Sequence, residues 1–209
     1  MKLYPVYLKL NAVACLVVGG GVVARRKVQA LLRSGANVTV VSPRICAGLR
    51  VLLAGKKICY EESAYNNKFL RGVFLVIAAT DRPEVNARIA QDAGQRGMLV
   101  NVADEPELCN FYVPAVACHN GIMVAISTQG AFPGLAKKLR QKFQPVVNAY
   151  AKYARAMALL RSKIKRDISD QRTRKKMIKC LLDPRVQRLI EAGKVRTPAD
   201  LLTMPRVMR

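Results

Sequence analysis

Through its first half the chain sets short apolar runs against amphipathic stretches of helix length. The first run, residues 13–18, predicts a strand. Residues 22–34 follow with Val28, Leu31 and Leu32 at helical spacing, and Gly35 stops that helix. A second β-branched run, 37–41, closes at Ser42-Pro43. A helix over 47–54 and a short strand near 58–61 come next. Residues 74–79 are apolar throughout, as in a strand buried on both faces. Thr80-Asp81-Arg82-Pro83 ends that strand and starts a helix reaching about Arg96, closed by Gly97, and 98–102 is the last strand of the series. Strands alternating with helices predict a parallel sheet with crossover helices.

The pattern changes after Pro114. Residues 122–127 read as a strand and 130–134 as a loop entering a helix. Leu135, Leu139, Phe143, Val146 and Val147 recur at helical spacing, as do Tyr150, Tyr153, Met157, Leu160, Ile164 and Ile168. Such a stripe is core or a dimer face. Thr197-Pro198-Ala199-Asp200 has the form of a helix start, with Thr197 as N-cap.

Between the first strand and the first helix stands Gly19-Gly20-Gly21-Val22-Val23-Ala24. Glycine permits a sharp strand-to-helix turn and leaves no Cβ where a diphosphate approaches. The N–H groups of the helix start then face the anion, with the helix dipole behind them. Gly19, Gly21 and Ala24 fit the spacing of the dinucleotide fingerprint. The fold class is therefore α/β: a Rossmann-like parallel sheet, then a small α+β segment and a helical C-terminal region. Doubly wound sheets bind ligands beyond the carboxyl ends of their strands, which brings residues 19–23, 42–44, 79–81 and 101–104 to one crevice.

Charge sharpens this picture. The net charge is +23, with 15 basic and 8 acidic residues in 1–113 against 21 and 5 in 114–209. An acidic partner is expected, either a polyanionic small molecule, a nucleic acid or an anionic surface, unless the basic face serves solubility alone. No apolar run approaches the ~18 residues of a membrane span, and the first residues lack a signal-peptide pattern. A cytoplasmic protein is the expectation. Six scattered cysteines without a CxxC pair, and the single His119, argue against a disulfide framework or a metal cage. Neither a Walker loop nor a Ser-His-Asp or Cys-His arrangement is present.

The candidates for chemistry lie at strand ends. An acidic residue after the second strand ordinarily selects NAD; here Ser42, Pro43 and Arg44 stand there. Arg44 suits a 2′-phosphate or is an exposed turn arginine. Asp104, just past the strand at 98–102, is a candidate general base, while Glu105 and Glu107 read as solvated loop acids. His119 in Cys118-His119-Asn120-Gly121 is a proton exchanger or a turn residue. Ser127 and Thr128 offer hydroxyls to a ligand or cap the turn.

Six motifs in collinear order then carry a resemblance. They are Val17-Val18-Gly19-Gly20-Gly21-x-Val23-Ala24-x-Arg26-Lys27, Val38-Thr39-Val40-Val41-Ser42-Pro43, Leu75-Val76-Ile77-Ala78-Ala79-Thr80-Asp81, Asn101-Val102-x-Asp104, Asn110-Phe111-x-Val113-Pro114-Ala115 and Val124-Ala125-Ile126-Ser127-Thr128. From about Leu3 to Phe143 the chain resembles the precorrin-2 dehydrogenase family of siroheme biosynthesis, including the first module of multifunctional siroheme synthases. The resemblance implies NAD-dependent oxidation of precorrin-2 to sirohydrochlorin, with ferrous iron insertion in many members. It implies NAD bound by Gly19, Gly20, Gly21, Val22, Val23, Ser42, Pro43, Arg44, Ala79 and Thr80, because the family pairs NAD with Ser/Ala-Pro at this strand end. Asp104 falls on the catalytic aspartate, and Asn101, His119, Ser127 and Thr128 are the expected tetrapyrrole contacts. A homodimer is implied, joined through residues 114–147, with a basic helical region over 148–209 and the nucleotide domain over 1–113. Gln129 and Phe132 depart from the small residues that the family has there. The alternative is a dinucleotide-sensing regulator that binds nucleic acid through residues 137–179, which carry 15 basic side chains against Asp167 and Asp170. No helix-turn-helix or aromatic RNA-binding motif accompanies them, so a charged outer face is preferred.

Overall fold

The computed structural model describes residues 3–203, apart from the side chains at 152 and 153. It divides into two compact units, Met1–Val113 and Pro114–Arg209. In the first, β1 (Ala14–Val18), α1 (Val22–Arg33), β2 (Asn37–Val41), α2 (Ala47–Ala54), β3 (Cys59–Glu61), β4 (Leu75–Ala78), α3 (Pro83–Gly94) and β5 (Leu99–Val102) follow in sequence. The five strands are all parallel, in the order β3-β2-β1-β4-β5. A 3₁₀ turn at Asn67–Leu70 takes the place of a helix between β3 and β4.

The period-2 alternation of strand side chains sorts the core into two layers. Cys15, Val17, Val38, Val40, Leu75 and Ile77 pack on one face with Ala24, Val28 and Leu31 of α1 and Leu49 of α2. Leu16, Val18, Val41, Val76, Ala78, Val100 and Val102 pack on the other with Ile89 and Ala93 of α3. Because both faces are covered, β1 and β4 read as unbroken apolar runs rather than alternating ones. Each fully buried Leu, Val or Ile contributes about 1.5–3 kcal/mol over exposure.

Both predicted glycine stops have the same geometry. Gly35 (φ 78) donates to Leu32 O and Ala36 to Leu31 O; Gly97 (φ 63) donates to Gly94 O and Met98 to Ala93 O. This 5→2, 6→1 pair is the Schellman arrangement, open to glycine because the left-handed conformation carries no Cβ penalty. Helix α3 ends at Gly94, two residues before the predicted Arg96.

The second unit opens with an antiparallel hairpin, β6 (Ala115–His119) and β7 (Ile122–Ile126). Asn120 (φ 42) and Gly121 (φ 86) form its turn, the two positive φ values that type I′ requires. Helix α4 (Pro133–Asp167) follows as one 35-residue element, about 52 Å long at 1.5 Å per residue. It runs without a break through Pro145 and through the division at 147/148. Its C-terminal half places Leu160 and Ile164 in a core with Met177 of α5 (Gln171–Cys180), Val186 and Ile190 of α6 (Pro184–Glu191), and Leu201 of α7 (Pro198–Leu202). Of the predicted stripe, Val147, Leu160 and Ile164 are buried, whereas Leu135, Phe143, Val146 and Tyr150 are exposed; Tyr153 lies outside the described residues. At α7, Thr197 and Asp200 close a reciprocal capping box. No helix among the described residues is long and apolar enough to cross a membrane.

Burial lifts the Cys15 thiol in β1 from 9.0 to about 11. Below pH 9.0 the folded and unfolded states both keep the proton; between 9.0 and about 11 only the folded state does. Folding stability therefore falls as pH rises through that interval. Urea melts across it are expected to show a shallower decline for Cys15→Ala than for the parent chain.

Candidate functional site

The strand order reverses between β1 and β4, and their following helices α1 and α3 depart to opposite faces of the sheet. At such a switch point a crevice opens beyond the carboxyl ends of the strands. Here it encloses about 730 Å³ and is lined by residues 18–23, 41–46, 63–65, 79–82, 85, 103 and 104. Among the sequence-predicted site residues it gathers Gly19, Gly20, Gly21, Val22, Val23, Ser42, Pro43, Arg44, Ala79, Thr80 and Asp104.

Backbone contacts weld these loops together. Gly19 N donates to Val41 O at 2.9 Å, Ala79 N to Val18 O at 2.8 Å, Cys46 N to Gly20 O at 2.8 Å and Ala103 N to Ala78 O at 2.9 Å. Gly19 (φ 125) would bring a Cβ within 2.2 Å of Ala79 O, and a Cβ on Gly20 would lie 1.8 Å from Arg44 O. Gly21 differs: a Cβ there meets nothing within 4 Å. It is the N-cap of α1, with no side-chain cap and no acid in the first turn. Two glycines thus serve close packing within the protein, and the third leaves open space at a helix start.

The end of β2 is braced from within. Ser42 is buried, its Oγ donates to Arg44 O at 2.7 Å, and Tyr60 Oη donates to Ser42 O at 2.9 Å. The Ser42 hydroxyl holds the turn that presents Pro43 and Arg44.

Behind the opposite wall, formed by residues 79–82 and 85, lies Asn86, 3% exposed and overlooked in the sequence. Its Oδ1 accepts from Thr80 Oγ1 at 2.7 Å and Thr80 N at 3.3 Å, while its Nδ2 reaches Thr80 O at 3.3 Å and Glu105 Oε1 at 3.5 Å. One buried amide therefore ties the β4 terminus to the loop after β5. An Asn in register with the buried Ile89 and Ala93 on a helix face was the available signal.

Asp104 sits on that second loop with φ 62, a left-handed conformation that Asp tolerates better than most residues. The segment behind it folds back on β5. Cys109 Sγ accepts from Val102 N at 3.1 Å, and the Asn110 side chain accepts from Val100 N at 2.8 Å while donating to Met98 O at 2.7 Å. Asn101 is buried beneath the crevice, with its amide held by Lys27 and Phe111 O.

His119, Ser127 and Thr128 belong to the second unit and do not line this crevice. His119 is the exposed last residue of β6. Ser127 Oγ accepts from Gln129 N at 3.0 Å and Thr128 Oγ1 from Phe132 N at 3.2 Å, so both hydroxyls cap the turn into α4.

Residues 6–115 match the family model NAD_binding_7, "Putative NAD(P)-binding". The chain belongs to this NAD(P)-binding family. It is 40% identical over 176 residues to the siroheme synthase of Methylobacillus flagellatus, covering 84% of this chain and 38% of that one. It is 38% identical over 195 residues to that of Thioalkalivibrio sulfidiphilus, covering 93% and 40%. The chain thus spans about two fifths of the length of these relatives. Among solved structures it is similar to SirC, precorrin-2 dehydrogenase, with a TM-score of 0.79 at 26% identity, covering 92% of this chain and 96% of that one. These likenesses bear out the family resemblance carried by the six motifs, and SirC shares the α/β fold class.

The residues present fit a dinucleotide. The open space at Gly21 and the uncapped start of α1 suit a diphosphate, and Ser42–Arg44 line the crevice at the end of β2, where doubly wound folds ordinarily receive an adenosine ribose. Gly20→Ala forces the loop carrying Arg44 outward and is expected to lower stability by about 1–3 kcal/mol in urea melts. Gly21→Ala changes stability by less than about 1 kcal/mol. Its Cβ instead enters the crevice and weakens NADH binding roughly tenfold, read by fluorescence titration.

Proposed function

We propose that this chain is an NAD-dependent precorrin-2 dehydrogenase, which oxidises precorrin-2 to sirohydrochlorin. The observation that carries this reading is the likeness to SirC over 96% of that enzyme's chain. The siroheme synthase relatives agree with it, as does a crevice that joins a dinucleotide loop to the Asp104 carboxylate beyond β5.

The reaction removes a hydride and a proton from the tetrapyrrole. Bound NAD supplies the hydride acceptor. In this reading the chain's own residues do the rest. Gly19–Val23 seat the diphosphate, Thr80 and Ser42–Arg44 border the nucleotide, and Asp104 takes the proton at its carboxylate. Precorrin-2 carries eight carboxylates, and the excess of basic residues over 114–209 offers them complementary charge. His119, Ser127 and Thr128 are the further residues assigned to the tetrapyrrole, whereas Asn101, also expected there, is buried with both ends of its amide engaged inside the protein and supports the loop from within. The proposal extends to a homodimer joined through 114–147 and to ferrous iron as a second substrate, inserted into sirohydrochlorin.

An anaerobic assay with precorrin-2 and NAD, followed by ferrous iron, tests both steps by absorbance. The expected result is NADH and sirohydrochlorin in equal amounts, with NADP serving poorly; no sirohydrochlorin at all defeats the reading. Asp104→Asn keeps the shape and removes the basicity. It is expected to lower turnover by about 10²–10⁴-fold, the usual worth of a general base, with NADH affinity nearly unchanged.

A further inference from the structure

Lys27 lies in the second turn of α1, and its half-buried side chain turns towards β5. Its Nζ donates to Asn101 Oδ1 on β5 at 3.0 Å. Burial depresses its pKa and the neighbouring Arg26 adds to this, while Cys109 and Asp104 act in the opposite sense. It forms none of the ion pairs within 4 Å found among the described residues. A half-buried ammonium with one neutral partner is an expensive way to fill space, since an apolar side chain of similar length avoids the desolvation.

The contact carries directional information. Lysine only donates, so it fixes which end of the Asn101 amide faces it. Oδ1 turns to Lys27, and Nδ2 is left to donate to Phe111 O at 3.1 Å and towards Cys109 Sγ at 3.4 Å. Cys109 Sγ in turn accepts from Val102 N. A continuous polar chain therefore runs from the helix that begins at the dinucleotide loop to both the root and the far end of the segment carrying Asp104.

The geometry points to Lys27 as a positioning residue: through Asn101 it holds residues 103–111, and so the Asp104 carboxylate, in fixed register with the first turn of α1. This inference rests on the reading of Asp104 as the base of precorrin-2 oxidation. Displacing a reacting group by about 1 Å costs on the order of 10²-fold in rate, so the register matters even though Lys27 touches neither reactant.

The test compares the parent chain with Lys27→Met, Lys27→Arg, Asn101→Ala and the double variant Lys27→Met/Asn101→Ala. Turnover is measured anaerobically with precorrin-2, and NADH affinity separately by fluorescence. For Lys27→Met the expected result is a kcat lowered roughly 10²-fold, with the KM for precorrin-2 and the NADH Kd within about threefold. Lys27→Arg, which keeps the donor and the charge, recovers most of that loss. The double variant is no slower than the worse single variant, because the two residues act in series. Hydrogen exchange of residues 103–111 rises in Lys27→Met without substrate or NAD present. Should Lys27→Met fail to fold, Lys27→Gln takes its place in the cycle. The inference is overturned if Lys27→Met turns over within about threefold of the parent chain, or if the two losses multiply in the double variant. It is also overturned if NADH affinity falls as far as kcat with Arg no better than Met, the mark of a merely structural role. A parent chain that binds NADH but does not oxidise precorrin-2 defeats the dehydrogenase reading, and this inference with it.

Discussion

The first unit is organised around a place where three backbones approach too closely for any side chain. At Gly19 and Gly20 the turn leaving β1 lies against the carbonyls of Ala79, after β4, and Arg44, after β2. The centre of the sheet, the start of α1 and two walls of the crevice are all fixed by that contact. It explains why the apolar runs must end where they do: a β1 longer by one residue would move the helix start away from both neighbouring loops. The hydrogen bonds from Gly19 N to Val41 O and from Cys46 N to Gly20 O continue the ladder beyond the formal strand ends. The loops are thus extensions of the sheet rather than excursions from it.

Around this rigid centre, polar side chains do the finer placement, and each is satisfied. Ser42, Asn86 and Asn101 are the buried polar residues among those described, and each holds a loop that borders the crevice. No buried side-chain nitrogen or oxygen among the described residues lacks a partner. Since an unpaired buried polar group costs roughly 1–3 kcal/mol, these residues specify loop geometry at little expense in stability only while their networks stay complete. The crevice is therefore preorganised by two amides and a hydroxyl that hold its loops, with the exposed Asp104 on its lining.

Much of this architecture was legible in the sequence. A continuous apolar run marked the two-sided burial of β4, and Gly35 and Gly97 marked the helix ends through a conformation that glycine accepts freely. The capping pattern at Thr197 was read directly. What escaped has three physical causes. Strand β6 is a short, half-exposed Ala-Val-Ala-Cys-His with little apolar contrast, although Asn120-Gly121 was a strong turn signal beside it. The stripe over 135–168 gave no sign that α4 is continuous, because proline withdraws an N–H from the ladder and reads locally as a break. The contacts of Lys27, Asn86 and Asn110 joined residues far apart along the chain, and local spacing cannot show which distant amide a side chain will meet. At the candidate site the glycine loop and Asp104 were accessible for the opposite reason: their signal is local.

Asn110 has a consequence for the life of the molecule outside catalysis. A parallel sheet that stops at β5 leaves a row of backbone donors and acceptors along its outer strand, the template on which chains add to one another edge to edge. By pairing with Val100 N and Met98 O, and by donating its own N–H to Val100 O, Asn110 occupies that row with one residue instead of a sixth strand. At the other margin β3 is only three residues long. The same segment that carries a carboxylate to the crevice therefore also blunts the β5 edge against strand addition.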